Sequence, residues 1–474
     1  MDTLQSYLSM VDSRLLHQLT GKTKEFIRVF QEENYISENA FMNRVCGERH
    51  KQRYYYYLKA NTITILQAFA MVSRSTGVNT VQKKLDFCRK NFTVGQKFLE
   101  RGVRGEGLGL IRQAYKIAVE YDFAHLACEL SSVLHHNHVY YHRNKYKAEF
   151  YASQVEKYLR DYTAEKKAES YFYQVVGKYK GSLKSIEYEE SLAKINEYKG
   201  ESLKYKTYKG MIEVFYGFSI NDFDLIIESC SKTLDSFKGK KGVYFSHYLF
   251  FLMNIGKAHM AIGDYGKATI NFKESESYAL TKSINYALIQ LHKALNALHA
   301  GEYQLAYDLY LKNRKCRFDT VKEQFAIMEA YLCYLSHTGH LKLKGKFRLG
   351  KLLNETIKAQ TDKEGSNVNI IIAELLVYLG RDRGKFIDRV EAVNSYSYRH
   401  LKSPETRRAK RFIKILCTLP KVNFHPVALQ RVAKRHIDYL KTHPISMGQN
   451  VSIEILPFET VLEMILVQLL KKVA

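Results

Sequence analysis

Four histidines, His135, His136, His138 and His142, form the densest group of potential metal ligands in the chain. His138 and His142 are four apart, the spacing that sets two imidazoles on one helical face as in zinc-binding pairs. Val139, Tyr140 and Tyr141 stand between them, so the carboxylate of a metalloprotease motif is missing. A polar hairpin edge accounts for the cluster, and no metal is expected.

Gly102, Gly105, Gly107 and Gly109 raise a second chemistry, a loop that cradles phosphate. The G-x-G-x-x-G order is not met, no strand pattern leads in, and no Gly-Lys-Ser/Thr follows. A flexible break between helices is the reading. Neither a G-x-S-x-G elbow, a kinase signature nor a paired-cysteine zinc pattern occurs. The sequence therefore assigns no catalytic residue and no cofactor, and predicts that the chain is not an enzyme.

Cations interleaved with aromatics carry more information. Lys199, Lys204, Tyr205, Lys206, Tyr208 and Lys209 combine groups that hold phosphate with rings that stack on bases. Arg407, Arg408, Lys410, Arg411 and Lys414 form a second basic run, followed by Arg431, Lys434 and Arg435. The whole chain carries 73 Lys and Arg against 48 Asp and Glu, a net charge of +25, which favours anionic partners. Nucleic-acid binding through Lys199, Lys204, Tyr205, Lys206, Arg407, Arg408, Lys410 and Arg411 is one expectation. The competing one is that Lys-Tyr neighbours, in a chain with 36 tyrosines, are solvated surface over buried rings.

These residues must be positioned by helices. Only five prolines occur, Pro404, Pro420, Pro426, Pro444 and Pro457, so the first 403 positions contain no proline to break a helix interior. Hydrophobic residues make up 46%, enough to fold, and the 474-residue length exceeds what one compact core holds. From Ser37 onward, apolar residues recur at helical spacing between short breaks. Tyr54, Leu58, Ile65, Phe69 and Val72, for example, share one face. The chain is read as almost entirely α-helical.

Gly263, Gly301 and Gly339 are spaced by 38 residues, each between two helical stretches. Leu252, Ile255 and Gly256 precede Gly263-Asp264-Tyr265, and Ala268 and Phe272 follow. Leu291 and Ala294 precede Gly301-Glu302-Tyr303, and Ala306 and Tyr310 follow. Small residues at Gly256/Ala294 and Ala268/Ala306 permit close helix approach, and the aromatics fill the groove. This pattern resembles the tetratricopeptide repeat. The period is longer than the usual ~34, the tryptophan and the closing proline are missing, and Lys344 and Arg348 replace the small and aromatic residues of the third unit.

The resemblance implies an all-α, right-handed superhelix of antiparallel helix pairs, a tetratricopeptide-like α-solenoid. The expected layout is an N-terminal helical segment over 1–75, a solenoid over 76–400 with its signature clearest at 248–350, and a basic, proline-containing helical cap over 401–474. In the cap, Val461, Leu462, Ile465, Leu466 and Leu469 share one face. The layout resembles bacterial helical-repeat proteins, a likeness that implies no activity. Ser37 capping a helix through Val45, a turn at Gly47, and Arg49, His50, Lys51, Gln52 and Arg53 opening the next helix resemble, in layout, peptide-sensing bacterial regulators with a helix-turn-helix. An ordinary hairpin is the stronger reading, with Tyr54 to Tyr57 packing the long helix.

A solenoid of this kind implies a protein- or peptide-binding scaffold. Its groove row is expected to hold Met253, Asn254 and Lys257 from one unit and His292 and Asn296 from the next. The asparagines would satisfy a ligand's backbone, and Lys257 an acidic group. Seven scattered cysteines without a C-x-x-C pair fit a reduced, cytoplasmic setting. No secretory signal and no membrane span are expected, and the sequence leaves the oligomeric state open.

Overall fold

The computed structural model describes residues 4–6, 8, 11, 16–32, 38–46, 52–72, 80–177, 185–343, 366–402, 406–443, 445 and 454–471. Every regular element among them is helical. The chain divides into two compact units, Met1–Ala118 and Val119–Ala474.

In the first unit, α1 (Gly21–Glu32), α2 (Glu38–Cys46) and α3 (Gln52–Val72) pack on one another. Phe26 and Phe41 meet edge to face at 5.0 Å, and buried Tyr55 donates its hydroxyl to Glu38 at 3.0 Å. Leu58 is buried, and Tyr54 and Ile65 are half-buried on the expected face. Of the four tyrosines that open α3, Tyr56 and Tyr57 are exposed, so the expected packing of the whole run holds only in part. Ser37, Gly47, Arg49, His50 and Lys51 lie outside the described residues. Next, α4 (Thr80–Glu100) is joined to α5 (Arg104–Glu120). The glycines read as a flexible break are corrected here. Only Gly102 sits in the turn, whereas Gly105, Gly107 and Gly109 are inside α5. A Cβ on Gly107 would lie 3.0 Å from the carbonyl of Gly95, so this pair lets the two helices cross at backbone contact.

The second unit runs through α6 (Ala124–Tyr140), α7 (Lys145–Gly177), α8 (Ser185–Asn196), α9 (Leu203–Ile220), α10 (Phe223–Phe237), α11 (Phe245–Ala261), α12 (Tyr265–Glu276), α13 (Ile284–His299), α14 (Tyr303–Asn313) and α15 (Asp319–His337). It continues through α16 (Ser366–Arg381), α17 (Arg383–His400), α18 (Arg407–Thr418), α19 (Pro426–Val432), α20 (Lys434–Thr442) and α21 (Phe458–Leu470). Most helices pack on their neighbours in sequence. In addition, α9 touches α11, α11 touches α13, and α13 touches α15, so the first helix of each pair also meets the first of the next. One contiguous apolar core extends from Leu203 to Leu469.

The 38-residue recurrence is the recurrence of one turn. Gly263, Gly301 and Gly339 have φ of 82°, 79° and 83°. The amide that follows each reaches back five residues: Asp264 to the His259 carbonyl at 2.8 Å, Glu302 to Ala297 at 2.8 Å, and His340 to Leu335 at 2.9 Å. This is the glycine-ended Schellman cap, and after Gly263 and Gly301 it reverses the chain directly into α12 and α14. Asn221, at φ 55°, makes the same turn, with the Asp222 amide on the Gly217 carbonyl at 2.9 Å. Ile220-Asn221-Asp222-Phe223 thus mirrors Ile262-Gly263-Asp264-Tyr265, one unit earlier than the glycines mark. Both aspartates then cap the following helix, Asp222 accepting from Leu225 at 2.9 Å and Asp264 from Lys267 at 3.1 Å. Gly210 lies inside α9 against Thr233 and Phe251 of α10 and α11.

Gly256 is the close-approach residue of its pair, since a Cβ there would stand 2.5 Å from the Phe272 ring. No atom would crowd a Cβ on Gly301, so its requirement is conformational alone. Gly301→Ala is therefore expected to cost roughly 1 kcal/mol through its left-handed φ. At Gly256→Ala, overpacking of roughly 1–3 kcal/mol opposes a helix-propensity gain of up to about 1, leaving a net loss. Denaturant midpoints check both. Phe272→Leu should relieve Gly256→Ala but add independently to Gly301→Ala.

Candidate functional site

The expected groove row lies on α11 and α13, two helices that touch each other. Met253 is half-buried against the core, and Asn254 is buried, donating to its own helix at the Phe250 carbonyl at 2.8 Å. His292 is buried with Nδ1 on the Leu288 carbonyl at 2.8 Å and its ring 5.8 Å from that of Phe272. Asn296 donates to the Tyr265 carbonyl at 3.0 Å and to the Thr269 hydroxyl at 2.9 Å, which ties α13 to α12. The expectation that Asn254, His292 and Asn296 face a ligand is thus corrected. The bonded polar atoms serve the helices' own packing, while Asn296 Oδ1 is buried without a hydrogen-bond partner among the described residues.

Lys257 is different. It is half-buried, and neither an ion pair nor a hydrogen bond holds its ammonium among the described residues. Burial pushes its pKa down to about 8. Its charge reaches His292, whose pKa falls to about 3, first through burial and then through Lys257. The histidine is therefore neutral at physiological pH, and the lysine is the cation of this row.

The first basic cluster is largely neutralised. Lys204 lies 3.3 Å from Glu169, and Lys206 lies 2.8 Å from Glu201. Tyr205 is buried and donates its hydroxyl to the Ile195 carbonyl at 3.1 Å, so its ring cannot stack on a base. Lys199 is exposed. Behind them, Asp161 accepts from the Glu201 amide at 2.9 Å, and burial raises the Glu165 pKa to about 7.

In the second cluster Arg408 is buried, contrary to the phosphate contact expected of it. Its guanidinium meets Glu454 at 2.7 Å, Glu459 at 2.8 Å and the Leu440 carbonyl at 2.7 Å, and it also bonds the His443 carbonyl. The Glu454 carbonyl faces His299 Nε2 of α13 at 2.6 Å, and Phe458 stacks on Phe412 at 4.5 Å. Arg408 therefore anchors the C-terminal segment. Arg407 is exposed, Lys410 donates to the Leu401 carbonyl at 2.9 Å, and Arg411 stacks over Tyr439 at 5.2 Å.

Between α17 and α18 an open cleft of about 470 Å³ is lined by Asn394, Ser395, Tyr398, Arg399 and Lys414. Lys414 is oriented by a 2.7 Å bond to Asn394 Oδ1. The four residues from α17 were missed in the sequence, although Tyr396-Ser397-Tyr398-Arg399 shows the same interleaving of rings and cations used to find the other clusters. In the histidine group, His135 Nδ1 lies 2.8 Å from the Ala148 carbonyl, and His138 stacks on Tyr151 at 5.6 Å and sits 5.3 Å from His142. Among the described residues, no three His, Cys, Asp or Glu side chains converge as a metal site would require.

Two substitutions test these assignments. In an unfolded chain Lys257 would titrate near 10.4, so between about 8 and 10.4 the unfolded state binds the extra proton and stability rises with pH. The cost carried below pH 8 is at most about 3 kcal/mol, because the side chain keeps some solvent contact. Lys257→Met should raise stability at pH 7 by roughly 1–3 kcal/mol, a gain that vanishes by about pH 10 in urea titrations. Arg408→Ala should lower stability by about 3–5 kcal/mol, because it strands the buried Glu454 carboxylate. Chemical denaturation reads the loss directly.

No family model matches the sequence, and no curated protein or solved structure is similar to it.

Proposed function

We propose that the chain is a non-enzymatic scaffold whose tetratricopeptide-like helix pairs coil into a right-handed superhelix, and that its inner face takes an acidic peptide or protein segment. Lys257 carries this reading. A partly desolvated ammonium without a carboxylate partner is unfavourable in the free protein. A ligand carboxylate brought to it would supply the missing counter-charge in surroundings that screen the pair weakly. The recurring turn supports the repeat, since it aligns α11 with α13 and brings Lys257 beside the next unit. His299 of α13, a first-helix side chain, lies with Nε2 2.6 Å from the Glu454 carbonyl, which supports the reading. Seven unpaired cysteines favour a reducing, cytoplasmic setting.

Affinity capture with the wild-type chain, Lys257→Glu and the control Lys273→Glu on the exposed face of α12 tests the proposal. Fluorescence anisotropy with a glutamate-rich peptide gives the affinity. Lys257→Glu should weaken binding at least tenfold, and the control should leave it unchanged. Wild-type affinity should decline from pH 7 to pH 9 as the amine near 8 loses its proton. A peptide that binds Lys257→Glu as well as wild type rejects the groove.

A further inference from the structure

We propose that the cleft between α17 and α18 binds single-stranded nucleic acid, with Arg399 and Lys414 holding backbone phosphate and Tyr398 stacking on a base. This goes beyond the peptide-binding reading and uses no residue of it.

The cleft's lining contains two cations, one aromatic ring, an amide and a hydroxyl, and no carboxylate. Asp388 and Glu391 precede it on α17, and Glu391, one turn before Asn394 and Ser395, does not line the cleft. Neither Arg399 nor Lys414 has an ion-pair partner among the described residues, whereas Arg389 on the same helix is paired with Glu374 at 3.1 Å. Arg399 uses only its Nε, towards the Ser395 carbonyl at 3.4 Å, which leaves the fork of the guanidinium for a phosphate. Lys414 is pre-oriented by Asn394, so little side-chain freedom is lost on binding.

Tyr398 decides the class of ligand. Its ring is 74% exposed beside this polar cleft, which no internal packing requirement explains. A carboxylate-bearing peptide would use the cations and leave the ring idle. A base uses the ring's face while its phosphates use the cations. The concave shape favours an unpaired strand over a duplex, because reading a duplex groove takes a protruding helix or ribbon. About 470 Å³ accommodates one nucleoside.

The strand has somewhere to continue. Arg407, Lys410, Arg411 and Lys414 fall at i, i+3, i+4 and i+7 on α18, along one face. Lys414 borders α17 at one end of that face, and Arg411 reaches Tyr439 and His436 of α20 at 5.2 and 3.2 Å. Cations and rings therefore alternate from α17 across α18 to α20.

The test uses the full chain and a fluorescein-labelled 16-nucleotide oligo(dT) or oligo(U), read by anisotropy at several salt concentrations. Binding should weaken steeply with salt. Tyr398→Ala should weaken it about fivefold or more. The double change Arg399→Gln with Lys414→Gln should lower the salt slope by about 1.4, at roughly 0.7 per phosphate contact. Tyr146→Ala, at a still more exposed tyrosine on α7, and Lys257→Glu should leave binding unchanged. Circular dichroism confirms that each variant is folded. Absence of strand binding at 150 mM salt, or equal binding by Tyr398→Ala, overturns the proposal. So does displacement of the strand by a glutamate-rich peptide or by phosphatidylserine vesicles, or an equal affinity for a mononucleotide or a duplex.

Discussion

The second unit depends on one backbone constraint: a helix that reverses directly into the next needs a residue in the left-handed region. Asn221, Gly263 and Gly301 meet it. Glycine does so without a Cβ penalty, and asparagine is among the few other residues that tolerate the conformation. The bond that reaches back five residues satisfies a carbonyl the helix end would otherwise leave open, and the next residue is already the cap of the following helix. With so short a reversal, the second helix has nowhere to pack except on the first. Gly256 against Phe272 then sets how closely the pair can approach.

The C-terminal end is organised by a different force. Arg408 has its guanidinium saturated by two carboxylates and two carbonyls, all from residues 440 to 459. Burying these charges is unfavourable unless every partner is in place, so the arrangement selects one docked geometry more than it adds stability. Glu454 has a second duty, since its other oxygen accepts from the Phe458 amide at 3.1 Å and opens α21. Burial raises its pKa while Arg408 opposes that rise. The same guanidinium thus fixes both the end of α20 and the beginning of α21.

Helices and turns are legible in the sequence because each is decided by neighbours a few residues apart. The 38-residue glycine spacing, the buried Ala268 and Ala306, and the apolar face of α21 all follow from local rules. The Asn221 turn is equally local, although asparagine in place of glycine puts it outside the 38-residue glycine spacing. The side-chain assignments fail where a partner lies far away in sequence. Nothing near Arg408 announces Glu454, 46 residues later, and nothing near Asn296 announces Tyr265, 31 residues earlier. A charged or amide side chain reads as a surface group until its partner is known. Lys257 has no such partner among the described residues.

The same distinction reorganises the net charge of +25. Around the start of α9, Lys204 and Lys206 face Glu169 and Glu201, and Lys209 lies 3.9 Å from Glu213, so three of that cluster's four lysines are paired. Between Arg381 and Lys441 the sequence holds 16 Lys and Arg against five Asp and Glu, and Arg408 takes its acids from beyond that stretch. Excess charge that is internally paired adds little field at the surface, whereas unpaired charge on adjoining helices sums over a Debye length of about 8–10 Å. Two basic clusters that look alike as strings of letters therefore differ as electrostatic objects. The α17–α18 face is where the unpaired excess and an exposed ring coincide.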